Sequence, residues 1–485
     1  MSETVPDTTA TAVARPFKRI GLMRLTWPLL GVTVLTLLAT LGNTVILSQA
    51  DADLNAAIAT ANQILGVLYD VSVLFAIGAL VVIAQLLGAG SEDRARRAVV
   101  MTLRATLALG LIVGMFTAAM GPVIVGWINT PADIVDDANA YLWVAAFAMV
   151  FNAFIVTATA VLRAYGRTAL ILVLGVVVNL LDLPLLFVCI FILDLGAVGA
   201  AIPSLLIRGV GVLLLMWFIK RQTGVGVFTK LGPRRADDGA ISHWRQARLS
   251  LPTVVENGLF NVAVIVAVSF INTLGTDAIN ARSYALTLTA LVTGVILALV
   301  QGNETLVGWD VGEHSRTAAR LRTVRTALGT ALAAGLLAAV LWYFAEPALA
   351  IFAPGDEVIA MAKTALLISV LLLPLSAISG VIFGALRSAG DVVVPMVLSI
   401  ASTAVVMLPL SWLFVVSLDL GVPGAFWALV AGEAVKATLM TWRWLGGTWE
   451  RRPSVDEDAE AAEHSRPADA PAEERDDEDL APAHV

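Results

Sequence analysis

Along the 485 residues, apolar side chains gather into runs longer than a soluble fold requires. Twelve such runs occupy 20–47, 56–87, 97–126, 137–162, 168–193, 197–219, 249–273, 279–309, 320–350, 358–385, 392–417 and 421–446. A helix needs about 20 residues to cross a hydrocarbon core of ~30 Å, and each run supplies them. The pattern predicts an all-α integral membrane protein with twelve transmembrane helices.

The polar segments between the runs sort by charge. Arg15, Lys18, Arg19 and Arg24 precede or open the first run, and Asp51 and Asp53 follow it. Arg94, Arg96 and Arg97 come next, then Asp133, Asp136 and Asp137, then Arg163 and Arg167, then Asp194. The middle segment 220–248 carries Lys220, Arg221, Lys230, Arg234, Arg235, Arg245 and Arg248. The alternation continues through Asp277, then Arg316, Arg320, Arg322 and Arg325, then Glu346, Asp356 and Glu357. Arg387, Asp419 and finally Arg443, Arg451 and Arg452 complete it. Basic segments face the cytoplasm by the positive-inside rule, which places both termini and 220–248 there. The expected location is the cytoplasmic (inner) membrane, spanned many times.

Composition agrees. The chain is 58% hydrophobic and 14% charged, with mean hydropathy +0.84, against about 25% charged residues in soluble domains. The net charge of −7 comes from the end of the chain: 453–485 holds twelve acids and two arginines. That segment lacks apolar periodicity, so 447–485 is expected to be a disordered acidic cytoplasmic tail. Cys189 is the single cysteine, and the four histidines are scattered, which leaves no disulfide, thiolate or zinc spacing. No phosphate-binding glycine loop and no nucleophile–base arrangement occurs, so no enzyme, ATP-driven engine or cofactor is expected.

The chain repeats itself. RLTWP at 24–28 returns as RLSLP at 248–252, an offset of 224 residues. LRAYGRTALILVLG at 162–175 aligns with LRSAGDVVVPMVLS at 386–399, and LDLGAVGAA at 193–201 with LDLGVPGAF at 418–426. The expected organisation is a cytoplasmic segment 1–19, a six-helix lobe 20–219, a cytoplasmic inter-lobe loop 220–248, a second six-helix lobe 249–446 and the tail. An even helix number makes the repeats parallel, related by an axis along the membrane normal, as in many secondary transporters.

These segments resemble the multidrug and toxic compound extrusion (MATE) transporters, and their DinF-like branch in particular. The likeness covers roughly 20–446 and rests on QLLGAG at 85–90, the Pro131-Ala-Asp133 start of the fourth helix, LRAYGRT, Asn179, LGAVGAA and the second-half echo LRSAGD. It implies a V-shaped pair of rocking lobes that exports organic, often cationic, compounds against a proton or sodium gradient. The alternatives are a lipid or lipid-linked oligosaccharide flippase of related plan and a major-facilitator-type carrier. The expected partners are membrane lipid, a small organic cation and the coupling ion (H+ or Na+), with no nucleic acid; the expected state is a monomer.

The chain departs from the family where coupling is expected. The resemblance implies an acid late in helix one, and the matching position is Asn43. It also implies an acid four residues after Asn179; Leu183 stands there, and Asp182 comes one residue earlier. Charges at membrane depth are expensive and mark pathways. Asp182 and Arg208 lie 13 residues either side of Leu195, the expected turn between adjacent antiparallel helices. They should therefore meet near mid-bilayer, as a static pair or as part of transport. Asp70, Asn179, Asp182 and Arg208 form the expected first-lobe constellation. Glu256, with no base near it in sequence, is the second-lobe coupling candidate. Glu433 is expected either to pair with Lys436 one turn on or to act by itself. Glu304 and Asp310 are expected to be wetted. Tyr69, Trp143 and Tyr284 are either cation-path aromatics or interface anchors. Pro28 and Pro252 are either first-turn prolines or hinges.

Overall fold

A computed structural model of the chain describes residues 17–50, 52–127, 132–232, 238–350, 352 and 355–464. The segments 1–16 and 465–485, and Pro131 at the expected start of the fourth helix, lie outside the described residues. Every regular element described is helical. The first lobe comprises α1 (Leu22–Ala50), α2 (Ala52–Ser72), α3 (Ala76–Gly88), α4 (Glu92–Trp127), α5 (Ala132–Ala164), α6 (Thr168–Phe187) and α7 (Gly196–Thr223). Helices α2 and α3 are halves of one span, interrupted at 73–75. A short α8 (Asp238–Ile241) lies in the inter-lobe loop. The second lobe comprises α9 (His243–Asn272), α10 (Thr276–Gly312), α11 (Arg316–Tyr343), the short α12 (Ala345–Ala350), α13 (Asp356–Ser388), α14 (Val393–Ala401), α15 (Leu408–Trp412) and α16 (Gly421–Leu445).

Eleven helical stretches among the described residues are long and apolar enough to cross a membrane. The twelfth span is α16, whose 25 residues suffice in length but include Glu433, Lys436 and Arg443. Pro28 and Pro252 lie inside α1 and α9 rather than in first turns. π-Helical turns at 188–192 and 413–417 close α6 and its second-lobe counterpart, so the repeat extends to backbone irregularities. A further π-helical turn at 402–407 has its counterpart in the regular stretch of α6 that carries Asn179 and Asp182. Such turns occur often at functional sites.

The lobes join at the end that bears the basic loops. Ala76–Leu87 of α3 is buried throughout, as is Gly302–Gly312 of α10. These stretches are repeat counterparts, and they cross on the pseudo-two-fold axis. A Cβ on Gly88 would lie 2.2 Å from the Trp309 carbonyl oxygen, and one on Gly312 would lie 1.9 Å from that of Gln85. Trp309 is the counterpart of Gln85, so one contact is made twice. Hydrogen bonds repeat it: Gln85 Nε2 donates to Ser388 O at 2.7 Å, and Trp309 Nε1 to Ala164 O at 2.8 Å. The echoed RL(T/S)xP belongs to the same joint. Ser250 Oγ accepts from the Gly78 amide at 2.7 Å, and Thr26 Oγ1 lies 2.6 Å from where a Gly302 Cβ would be. From this joint the lobes diverge as a V.

The tail needs a correction. Residues Val455–His464 form α17, with Val455 buried against the first lobe. The Val455 amide donates to Gln85 Oε1, and Asp456 takes Ser91 Oγ and Arg94 at 2.7 and 2.9 Å. Asp458 pairs with Arg245 of the loop, while Glu457 bonds Arg316 and lies 3.1 Å from His314. The acids are spaced to meet bases from both lobes and the loop, which counting charge could not reveal. Phe17 and Arg19 also strap the joint: Phe17 packs edge-on to Trp309, and Arg19 pairs with Asp310 and Glu313.

Candidate functional site

In the first lobe, α6 and α1 run side by side. Their contact brings Asn43 Nδ2 to Asp182 Oδ2 at 2.8 Å. An amide and a carboxylate thus meet where the family resemblance implies two carboxylates. Asp182 and Arg208 form no ion pair, contrary to the expectation from equal depth. Both lie within electrostatic reach of Tyr141, together with Tyr69, so they share a layer. Arg208 instead donates from Nη2 to Tyr69 Oη at 2.8 Å and sits over that ring at 5.3 Å from its centroid. The helical phase of α7 turns Arg208 toward α2 rather than α6.

Asn179 donates to the Gly175 carbonyl of its own helix, not to Asp182. Asp70 leaves the expected constellation too: it accepts from Asn261 of α9 at 3.1 Å, across to the other lobe. The first-lobe group is therefore Asn43 with Asp182, and Tyr69 with Arg208, lined on one side by Tyr141, which donates to Asn62. Of the other aromatics, Tyr284 stacks on Phe352 and Trp143 is exposed.

The second lobe holds a cavity of about 590 Å³ walled by α9, α10, α13, the π turn 402–407 and α16. Glu256 lies on its wall, 8% exposed, and accepts from Ser399 Oγ. Lys436 Nζ is 3.5 Å from Glu256 Oε1. Glu256 therefore has a base after all, delivered by α16 and invisible to a search along α9. Of the two readings of Glu433, the pair with Lys436 is not formed, and Glu433 accepts from Ser379 Oγ at 2.6 Å. Asn257 and Arg387 also reach the cavity. Arg387 Nε holds Glu304 Oε1 at 2.7 Å.

Glu304 and Asp310 are buried, not wetted. Arg163, the repeat counterpart of Arg387, lies within electrostatic reach of Glu304, so this carboxylate sits near two symmetry-related arginines. Asp310 is held by Arg322 at 2.8 Å and by Arg19. Sequence reasoning missed Asn261, Ser399 and Ser379. Each is a small polar residue on a long apolar helix, which no charge or spacing argument singles out.

The arrangement is two helical lobes, each with carboxylates at membrane depth, joined at one end. A family model described as MatE matches residues 28–188 and 252–413, one copy on each lobe. The chain belongs to the MatE family. The major-facilitator reading falls with that match. The chain is 25% identical over 449 residues to the "Uncharacterized transporter YisQ" of Bacillus subtilis, covering 91% of this chain and 97% of that one. It is also 25% identical over 445 residues to the "Probable multidrug resistance protein NorM" of Thermotoga maritima, with 90% and 94% covered. Among solved structures, a mutant of the Vibrio cholerae MATE transporter VcmN superposes with TM-score 0.81 at 20% identity, covering 89% of this chain and 98% of that one. A MOP superfamily transporter of Pyrococcus furiosus, described with a binding pocket of reversed polarity, superposes with TM-score 0.80 at 20% identity, with 93% and 100% covered. This MatE protein is thus a multi-pass membrane protein with the MATE transporter fold.

Proposed function

We propose that this MatE protein is a secondary active exporter, an antiporter of small organic cations driven by a proton or sodium gradient. The observation that carries this reading is the second-lobe cavity, large enough for a small organic molecule and walled by Glu256 and Glu433. A carboxylate in a low-dielectric site attracts a cation more strongly than it does in water. Its charge can be satisfied by a proton, by sodium or by a cationic substrate, which is the exclusion an antiporter needs. The cavity mixes carboxylates with bases, and this argues against the basic lining a lipid-phosphate flippase would need.

With the basic loops assigned to the cytoplasm, the α3–α10 joint closes the cytoplasmic side and the V opens outward. Export then alternates this state with one in which the joint opens and the far ends of the lobes close. A ligand drives the exchange only through its different affinity for the two states. Glu256 is the first candidate for the coupling group. Asp70 and Asp182 are the first-lobe candidates: Asp70 bonds across the cleft, and Asp182 accepts from the neutral Asn43 amide.

The test is transport by purified protein in sealed vesicles, with proton and sodium gradients imposed separately. Gradient-driven movement of ethidium under one of them is expected. No movement of ethidium or of other organic cations under either gradient contradicts the reading.

A further inference from the structure

Four charged side chains face the second-lobe cavity: Glu256, Glu433, Lys436 and Arg387. Arg387 is committed to Glu304, whose side chain is 2% exposed, at 2.7 Å. These two cancel. The cavity is left with Glu256, Glu433 and Lys436, a formal charge of one negative.

The placement of Lys436 is unusual. Its ammonium stands 3.5 Å from Glu256, beyond the ~2.7–2.9 Å of a charge-assisted hydrogen bond. Neither carboxylate depends on it alone, since Ser399 donates to Glu256 and Ser379 to Glu433. Lys436 also lies 5.9 Å from the Phe383 ring centroid, a ring it shares with Arg387 at 5.6 Å. It is anchored by its helix but not locked to one partner.

We propose that Lys436 is a tethered counter-cation that tunes this cavity to ligands carrying a single positive charge. The inference rests on the export reading and narrows its substrate class to organic monocations. A monocation brings the charge of the cavity to zero. A dication leaves one positive charge in excess, beside the ammonium. At about 6 Å and an effective dielectric near 20, that repulsion corresponds to roughly a hundredfold in affinity. Relaxation and water will reduce this, so a preference of about tenfold is expected. Without Lys436 the cavity carries two negative charges, and the second charge of a dication becomes an advantage. Lys436 is thus a specificity-determining residue of the substrate cavity.

Ethidium and propidium test this, because they share one ring system and carry one and two positive charges. Binding of each dye to purified protein is measured by fluorescence. The wild type should favour ethidium by about tenfold after correction for each dye's partition into detergent. Lys436→Gln should abolish or reverse the preference, and Lys436→Arg should keep it. Lys436→Cys adds a control within one folded preparation. Modified with a neutral methyl disulfide it should behave as Lys436→Gln; modified with an aminoethyl disulfide it should regain the ethidium preference. A ratio unchanged by the neutral modification, with both dyes still bound, overturns this inference and leaves the export reading standing. A wild type that binds neither these dyes nor other organic cations overturns both.

Discussion

Gly312→Ala tests the joint between the lobes. The new Cβ would lie 1.9 Å from the Gln85 carbonyl oxygen and 2.9 Å from its Cα. Atoms of this kind rest at about 3.5 Å, so the two backbones must part by roughly 1.5 Å. Overpacking of this sort costs about 1–3 kcal/mol, and the upper end applies because the opposing atoms belong to a helix backbone, not a flexible side chain. Intrinsic helix preference works the other way, favouring alanine over glycine by about 1 kcal/mol. The clash acts only in the state with the joint closed, whereas the helix preference acts in both. With ~1.4 kcal/mol per factor of ten, the closed state should lose roughly a hundredfold in relative population. Gly88→Ala, which meets the Trp309 carbonyl at 2.2 Å across the same axis, should do likewise. Spin labels at Asp93 and Thr317, exposed positions at the joint end of either lobe, report the separation by pulsed dipolar spectroscopy. Both variants should lengthen it and slow transport. Wild-type distances and rates in both would refute the claim that this crossing closes the basic face.

Other outcomes follow from the same contacts. Asp182→Asn should keep the folding yield, because Arg208 rests on Tyr69 and not on Asp182, while transport falls; collapse of expression would show that the two charges depend on each other. Asp391 is fully buried beside Arg443 and Arg452, at 2.8 and 3.0 Å; both arginines keep contact with solvent, so Asp391→Asn should cost about 1.5–3 kcal/mol, the worth of a hydrogen bond to a charged group, seen as a lower Tm. Asp456→Asn weakens the attachment of α17 to Arg94 and Ser91 and should lower Tm by a few degrees, more at low salt than at high. An unchanged Tm in both salts would show that the Asp456 charge contributes nothing to stability.

The fold was largely legible because a membrane imposes simple rules on length and charge. Span length and the offset of 224 residues are read from the order of residues alone, and both survive in the structure. The echoed RL(T/S)xP did mark architecture: its Ser250 and Thr26 pack against glycines of the opposite lobe. The candidate site was legible in its residues but not in its pairings. Depth alone placed Asp182 and Arg208 in one layer, yet a partner is also chosen by the rotation of each helix, and an error of one residue turns a side chain by about 100°. The same ambiguity hid Lys436 from Glu256 and Asn261 from Asp70, which come from helices far apart in sequence. Helix α17 went unseen because its apolar stripe is as short as Val455 and Ala459, and much of its attachment comes from bases on other segments.

The account turns on whether Glu256 links the gradient to export. The direct measurement is transport by Glu256→Gln beside the wild type, in sealed vesicles under the gradient that drives the wild type, with ethidium binding measured on the same preparations. The account predicts that the variant still binds dye, more weakly, and moves none of it when the gradient is imposed. Gradient-driven export by Glu256→Gln at the wild-type rate would contradict it and transfer the coupling role to Asp70 or Asp182.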